Sequence, residues 1–196
     1  MADLGQFGKP TGIIGKFSGW MMDRYNKLEH VETIKSLDLQ PDDHVLEIGY
    51  GTGQAMDLAA EKIHDEKIVG VDHSAAMFEV ALRKNKKWVD RGVVELHVGD
   101  ARKLDFPQES FNKVYSIHCI YFWEQPEVNL REIHRVLKNK GIAAITIRTG
   151  KGEVYQKFTD TNVKNWLESC GFKNVVINRL GKRKHKASVI LGEKQI

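Results

Sequence analysis

Apolar residues follow two alternating patterns along this chain, and the patterns together predict the order of its strands and helices. Short apolar runs, typical of buried strands, are followed by segments in which apolar residues recur every three or four positions, as on one face of a helix. Strands that alternate with helices favour a mostly parallel sheet covered by helices on both faces. The predicted strands are 45–48, 68–72, 93–98, 112–119, 142–147, 174–178 and 187–191. We therefore expect an α/β fold with a seven-stranded sheet.

The last two predicted strands are joined by a short turn, Leu180-Gly181-Lys182-Arg183-Lys184. A connection of this length suits a hairpin, whereas parallel strands need a crossover of about a dozen residues or more. We therefore expect the last strand to run antiparallel.

The first predicted strand ends in a turn that contains Gly49, Gly51 and Gly53. Glycine adopts positive φ and allows close backbone approach because it has no Cβ. The helix that follows directs its unpaired N–H groups toward the turn, as in sites that cradle a ligand. A dinucleotide fingerprint needs its third glycine one position later, where this chain has Gln54. Glu47, just before the turn, disfavours a diphosphate and suits a ligand that carries an ammonium group.

The second predicted strand, Ile68 to Asp72, ends in an acid at about 20 residues past the turn. At this separation, a carboxylate on the second strand can accept hydrogen bonds from both hydroxyls of a ribose. Asp72 is therefore the leading candidate for a ligand-binding side chain, and a plain strand-end or helix-capping acid is the alternative. Ser74 is predicted to cap the next helix, whose apolar face carries Met77 and Trp88.

Four segments, in this order, resemble the class I methyltransferases that use S-adenosylmethionine (SAM). They are E-I-G-Y-G-T-G at 47–53, G-V-D-H-S-A-A-M at 70–77, G-D-A at 99–101 and the run from Pro126 to Gly141. The chain resembles in particular the small bacterial type that is grouped with ubiquinone, menaquinone and phospholipid methyltransferases. The ordered set is far more specific than any one of its motifs. The resemblance implies a Rossmann-like sheet and SAM as the cofactor.

The resemblance also implies a role for each motif in holding SAM. The glycine turn and Glu47 are expected to hold the methionine moiety, and Asp72 the ribose. Asp100 is expected to accept a hydrogen bond from the adenine amino group, while the backbone N–H of Ala101 reaches the ring. His73 is expected to lie against the adenine face. For Asp100 and Ala101, an ordinary Gly-Asp surface turn is the alternative.

The fourth predicted strand and the residues after it carry candidates for the wall of the active site. In a doubly wound sheet, the carboxyl end of such a strand opens toward the ligand crevice. The candidates are Ser116, His118, Tyr121 and Trp123. We expect His118 or Tyr121 to act as an optional general base, and a histidine that only bonds to backbone is the alternative. The aromatic run 121–123 either lines a substrate pocket or packs on the core.

The N-terminal segment, residues 1–40, is expected to be a helical unit distinct from the SAM-binding domain, residues 41–196. Apolar residues recur every three or four positions from Ile14 to Leu28. This helix is expected either to cover the active site as a lid or to pack on the sheet. The residues that a lid would bring near the methyl group are Met21, Met22, Tyr25 and His30.

Composition and charge exclude several other classes. The chain has 196 residues, of which 41% are hydrophobic, so it is expected to have one core. It has no run near the roughly 18 apolar residues of a membrane span and no signal-peptide pattern, so we expect a cytoplasmic protein. Neither Cys119 and Cys170 nor the histidines have the spacing of a metal site, and no disulfide is expected. A net charge of +4 with 26 acidic residues does not favour nucleic-acid binding.

These features predict an enzyme that moves a methyl group from SAM to a small-molecule acceptor by in-line displacement, with most of the acceleration from proximity and alignment. A SAM-binding protein without turnover would keep the same motifs and is one alternative. A nicotinamide-dependent oxidoreductase is the other, because it would share the sheet and Asp72. It also requires the missing glycine and a catalytic Tyr/Lys or zinc set, neither of which the sequence shows.

Overall fold

The structure is a computed structural model, and it describes residues 26–150, 153–181 and 186–195. Its strands are β1 (Val45–Ile48), β2 (Ile68–Asp72), β3 (Val94–Val98), β4 (Phe111–Ile117), β5 (Leu137–Thr149), β6 (Phe172–Leu180) and β7 (Lys186–Lys194). Its helices are α1 (Lys27–Leu37), α2 (Gln54–Ala60), α3 (Ala75–Lys84), α4 (Lys86–Val89), α5 (Pro126–Val136), α6 (Glu153–Lys157) and α7 (Asp160–Ser169). A short 3₁₀ turn covers Ile120–Phe122.

The seven strands form one sheet in the order β3-β2-β1-β4-β5-β7-β6. The first five strands run parallel, and β7 is inserted antiparallel between β5 and β6. The prediction of a mostly parallel, seven-stranded sheet with an antiparallel last strand is therefore confirmed. The strand order reverses between β1 and β4, so the carboxyl ends of these two strands border the crevice in which doubly wound sheets bind ligands.

Helices cover both faces of the sheet, as the apolar patterns predict. On one face, Leu46 and Ile48 of β1 belong to a core that includes Ile133 of α5 and Leu167 of α7. On the other face, Val45 belongs to a core with residues of α1, α2 and α3. Successive residues of β1 thus face opposite sides of the sheet, and the whole strand is buried, as expected for a central parallel strand.

The predicted helix after Ser74 is divided into α3 and α4 at Asn85. The prediction of the cap is confirmed, because the Ser74 hydroxyl accepts the Met77 N–H at 3.3 Å. Asn85 is fully buried, and its side-chain amide donates to the carbonyl oxygens of Gly53 at 3.0 Å and Ala81 at 3.1 Å. This side chain bonds to backbone of both its own helix and the glycine turn. The break between the helices therefore anchors the turn.

β5 begins earlier than the sequence predicts. The predicted helix near Pro126–Lys138 ends at Val136, and β5 starts at Leu137 rather than at Ile142. Leu137 has extended backbone and pairs with Phe111 of β4, after which a bulge interrupts the ladder. The early start depends on this partner strand, which local apolar spacing does not show.

The described part of the N-terminal segment contains α1, which packs against α2, β4, β5 and β7. The hydroxyls of Thr33 on α1 and Thr146 on β5 lie 2.6 Å apart and share a hydrogen bond. Met21, Met22 and Tyr25, which were predicted to approach the methyl group, lie outside the described residues. None of the helices that the structure describes is long and apolar enough to cross a membrane.

Candidate active site

The turn after β1 uses glycine for two different reasons. Gly49, Gly51 and Gly53 have φ of 76°, 52° and 77°, a region that other residues rarely adopt. A Cβ at Gly49 would lie 2.4 Å from Sγ of Cys119, and one at Gly53 would lie 2.3 Å from Nδ2 of Asn85. A Cβ at Gly51 would meet nothing within 4 Å. Packing therefore requires Gly49 and Gly53, whereas the space beside Gly51 is open for a ligand.

Asp72, at the end of β2, holds this turn in place. Its Oδ2 accepts the backbone N–H of Gly51 at 2.8 Å, and its Oδ1 accepts that of Ser74 at 2.9 Å. Only 7% of the residue is exposed. Each carboxylate oxygen has two acceptor positions, so Asp72 retains acceptor capacity for the hydroxyls of a bound sugar.

Glu47 is buried on β1, directly before the glycine turn. The hydroxyl of Tyr115 on β4 donates to its Oε2 at 2.8 Å. Burial, together with the nearby Glu47 charge, raises the pKa of Tyr115 well above its usual value. The tyrosine therefore stays a hydrogen-bond donor to the carboxylate, and Glu47 is held in one orientation beside the turn.

The residues predicted to hold adenine lie at the ends of β2 and β3. Asp100 is exposed and accepts hydrogen bonds from the backbone N–H of Arg102 at 2.8 Å and from its guanidinium at 2.7 Å. These bonds from Arg102 lower the pKa of Asp100, so the carboxylate is charged at neutral pH. Nδ1 of His73 lies 3.6 Å from Oδ1 of Asp72. The backbone N–H of Gly99 donates to the carbonyl of Asp72 at 2.9 Å, which joins the two strand ends.

A cavity of about 720 Å³ opens at the carboxyl edge of the sheet. The predicted site residues in its wall are Gly49, Asp72, His73, Asp100, Ala101, Tyr121 and Trp123. Five of the predicted site residues lie outside that wall: Glu47, Gly51, Gly53, Ser116 and His118. The structure therefore brings Asp72, the residues predicted to hold adenine, and Tyr121 to one cavity.

The aromatic run after β4 serves both of the purposes weighed from the sequence. Tyr121, Phe122 and Trp123 all line the cavity. Trp123 is buried in the core, whereas Phe122 is 40% exposed. The Tyr121 hydroxyl donates to the Arg148 carbonyl at 3.0 Å and accepts the Arg148 backbone N–H. Burial raises the pKa of Tyr121, so its hydroxyl keeps its proton and anchors the ring to the end of β5.

His118, the first residue after β4, has the left-handed φ of 56°. Its backbone N–H donates to the Thr146 carbonyl at 2.9 Å, and its ring lies nearly parallel to that of Tyr121, with 6.3 Å between centroids and 14° between planes. Both ring nitrogens are buried without a hydrogen-bond partner among the residues described. Burial, assisted by the Arg148 charge, lowers the pKa of His118 to about 3. The ring is therefore neutral at physiological pH.

Arg148, near the end of β5, joins this region to α1, and sequence reasoning missed it. Its Nη2 donates to Oδ1 of Asn26 at 2.9 Å and to Oε1 of Glu29 at 2.5 Å. Glu29 is 3% exposed. Burial acts to raise its pKa, but the hydrogen bond from Arg148 and the charge of Arg148 outweigh burial and lower it. The only local indication that Arg148 belongs to the site was its position at a strand end. Its partners lie more than a hundred residues earlier in the chain.

These residues fit the cofactor that the sequence predicts. Open space lies beside Gly51, and Asp72 has acceptor capacity directed to the cavity wall. The charged Asp100 also lines the cavity. A nucleoside with an amino-acid tail is compatible with an open turn and two carboxylates in this arrangement. Within the described ranges, no three His, Cys, Asp or Glu side chains are grouped so as to hold a metal ion.

The fold and this site define the chain as a class I SAM-dependent methyltransferase. Residues 46–145, about half of the chain, match the family described as the methyltransferase domain, and the chain belongs to that family. SAM is accordingly its cofactor.

Three similar proteins illustrate this relationship. The chain is 33% identical over 126 residues to YrhH of Bacillus subtilis (strain 168), which is named as a methyltransferase; the match covers 64% of this chain and 68% of YrhH. It is 34% identical over 113 residues to the demethylmenaquinone methyltransferase of Symbiobacterium thermophilum, covering 57% of this chain and 45% of that protein. A SAM-dependent methyltransferase from Aquifex aeolicus has the same fold, with a TM-score of 0.74 at 18% identity over 90% of this chain and 96% of that one.

Proposed function

We propose that this enzyme transfers the methyl group of SAM to a small-molecule acceptor that has a substantial apolar part. The observation that carries the proposal is the apolar part of the cavity wall that follows β4, where Phe122 is 40% exposed. Large apolar side chains at the edge of a cavity favour a ligand whose own apolar surface covers them. Tyr121 and Trp123 continue this surface inward.

The residues around the cavity divide the work of holding SAM and the acceptor. The open side of the glycine turn and Glu47 would hold the methionine moiety, Asp72 the ribose, and His73, Asp100 and Ala101 the adenine. When bound, SAM supplies an electrophilic methyl group on a sulfonium. The aromatic residues after β4 would orient the acceptor toward that group and exclude water, and alignment of this kind supplies most of the acceleration.

The role of general base for His118 and Tyr121 stays a prediction. The hydrogen bonds of Tyr121 and the pKa of His118 both bear on it. The Tyr121 hydroxyl already bonds to both backbone groups of Arg148. The pKa of His118, about 3, makes its neutral ring a weak proton acceptor. An acceptor whose attacking atom needs no deprotonation, such as a free amine, requires no protein base.

The name of one relative also supports an acceptor with a substantial apolar part. The demethylmenaquinone methyltransferase is named for a quinone substrate, although this chain spans only 45% of its length.

The lid role of residues 1–40 also stays a prediction. Its described part, α1, packs on the sheet and joins the cavity region through Glu29 and Arg148.

The experiment is incubation of the protein with SAM that carries a deuterated methyl group, together with a small-molecule extract of cells. Mass spectrometry then searches for products that contain the labelled methyl group. The expected result is one or a few apolar products, which are absent when Asp72→Ala is used. If calorimetry shows that SAM binds but no small molecule gains the label, the protein binds SAM without turnover on such acceptors. The proposal is then wrong.

A further inference from the structure

Asn129 lies near the start of α5 and belongs to the wall of the cavity. Only 2% of the residue is exposed, and its Oδ1 is buried without a hydrogen-bond partner among the described residues. A buried amide oxygen normally accepts a hydrogen bond, because its loss of water is otherwise uncompensated. Rotation about the Cβ–Cγ bond of asparagine is soft, so the amide can turn toward the cavity. Asn129 therefore offers an unpartnered polar group to a ligand in that cavity.

The packing of α5 places Asn129 toward the adenine end of the cavity. Arg135 donates to the carbonyl of Phe106, in the loop after β3, at 2.8 Å. About one helical turn earlier, Glu132 accepts the Leu104 N–H at 3.0 Å. The contacts thus move back along the helix and along the loop together. One more turn leads to Asn129, while the loop leads back to the pair of residues expected to bind the adenine ring, and all three line the cavity.

Asp100, which is expected to bind the adenine amino group, is already engaged by Arg102. Its Oδ1 accepts the backbone N–H of Arg102 at 2.8 Å and Nε at 3.1 Å. Its Oδ2 accepts Nε at 2.9 Å and Nη2 at 2.7 Å. Each carboxylate oxygen has two acceptor positions, so the contacts with Arg102 occupy them. The amino group of adenine carries two hydrogens, and a second acceptor beside Asp100 is therefore needed to bind it fully.

The amide of an asparagine is complementary to one edge of adenine. Its oxygen accepts a hydrogen from the amino group N6 while its NH₂ donates to N7, which is how asparagine recognises adenine in nucleic acids. This edge is distinct from the one that carries N1, which the backbone N–H of Ala101 is expected to reach. The amide is also uncharged, so it adds no repulsion beside the charged Asp100. Asn129 has the chemistry that this edge of the nucleobase requires.

We propose that Asn129 binds the N6/N7 edge of the adenine of SAM. Its Oδ1 accepts from the amino group, and its Nδ2 donates to N7. Asn129 is then a specificity-determining residue, because a purine that lacks either group leaves one end of a buried amide unpaired. The inference rests on the proposed function only in placing adenine beside Asp100 and Ala101, and it does not depend on the identity of the methyl acceptor.

The test compares S-adenosylhomocysteine with its 7-deaza analogue, in which a C–H group replaces N7. Calorimetry measures the affinity of the full chain for each. The analogue keeps the amino group and N1, so the contacts expected from Asp100 and Ala101 are retained. We expect the analogue to bind at least about fivefold more weakly, because a buried N–H donor loses its acceptor. Equal affinities would overturn the inference.

Two asparagine variants assign the effect to one side chain. Asn129→Leu has a similar shape but no amide, and it is expected to reduce the discrimination against the 7-deaza analogue to less than about twofold. The control is Asn162→Leu near the start of α7, outside the cavity wall, where the amide donates to the Lys157 carbonyl at 2.9 Å. This variant is expected to keep the full discrimination. Discrimination that survives in Asn129→Leu, or that is lost in both variants, contradicts the assignment.

A measurement on the unmodified protein covers the case in which Asn129→Leu does not fold. With ¹⁵N-labelled asparagine, the side-chain amide signal of Asn129 in the NMR spectrum is expected to differ between the complexes with S-adenosylhomocysteine and with its 7-deaza analogue. Identical signals in the two complexes overturn the inference. None of these readouts requires a methyl acceptor, so a failure of methyl transfer in the extract experiment is distinguishable from a failure here.

Discussion

The carboxylate of Asp72 accepts the backbone N–H of Gly51 at 2.8 Å, so one buried acid links the end of β2 to the turn after β1. These two strands are adjacent in the sheet. The same acid is proposed to bind the ribose of SAM. Asp72 therefore shapes the turn and is the candidate to bind the nucleoside beside it.

We predict that Asp72→Ala weakens SAM binding by at least about tenfold, because it removes a charged acceptor for the ribose and frees the Gly51 N–H. Isothermal calorimetry measures the affinity. Asp90→Ala is the control, since Asp90 is exposed and pairs only with Lys86 among the contacts described. Equal affinities for SAM in the two variants would show that Asp72 does not contact the ribose.

We predict that Gly53→Ala destabilises the protein more than Gly92→Ala, by about 1–3 kcal/mol in the free energy of unfolding. The two glycines have nearly the same φ, 77° and 73°, so the backbone strain is matched. A Cβ at Gly53 would lie 2.3 Å from Nδ2 of Asn85, whereas one at Gly92 would meet nothing within 4 Å. Urea denaturation measures both. Similar losses would mean that Asn85 moves freely and does not anchor the turn.

We predict that Glu29→Gln lowers the free energy of unfolding by about 1–3 kcal/mol, because it removes the charge that pairs with Arg148 in a partly buried site. Arg148 is 28% exposed and Glu29 3% exposed at their side chains. The matched control is Asp90→Asn, which breaks an exposed pair with Lys86 and should cost less than about 1 kcal/mol. Thermal and urea unfolding provide the comparison, and equal small losses would contradict the structural importance of the buried pair.

We predict that His118 contributes to the loss of stability in acid. Its folded pKa, about 3, lies below the ordinary value of 6.5, so between these values the unfolded state binds more protons than the folded state. The free energy of unfolding then falls as pH is lowered from 6.5, by up to about 1.4 kcal/mol per pH unit from this side chain. Urea denaturation from pH 6.5 to 4.5 should show a smaller slope for His118→Phe. The exposed His64→Gln is the control and should keep the full slope.

The sequence predicted the features of the fold and site that depend on neighbouring residues. The glycine turn, the acid that ends β2 and the cap at Ser74 each have a local chemical cause, and the structure contains the turn conformation and the cap. The order of apolar runs was likewise sufficient for the seven strands. Local spacing carries this information because helices and strands repeat over a few residues.

What the sequence did not predict depends on partners far apart in the chain. Asn85 divides a predicted helix because it reaches the carbonyl of Gly53, 32 residues earlier. β5 begins early because Phe111 pairs with Leu137. Arg148 and Glu29 are 119 residues apart, and neither belongs to a recognisable motif. Such contacts follow from the assembled fold and not from local patterns.

The place of β7 between β5 and β6 has a consequence for the order in which the protein can assemble during its synthesis. β6 leaves the ribosome before β7, yet it reaches the sheet only through β7. The five parallel strands can therefore pair while the polypeptide is still being synthesised. β6 can join the sheet only after β7 has been synthesised. The nascent chain can thus build the crevice for the nucleoside before the hairpin closes the far margin of the sheet.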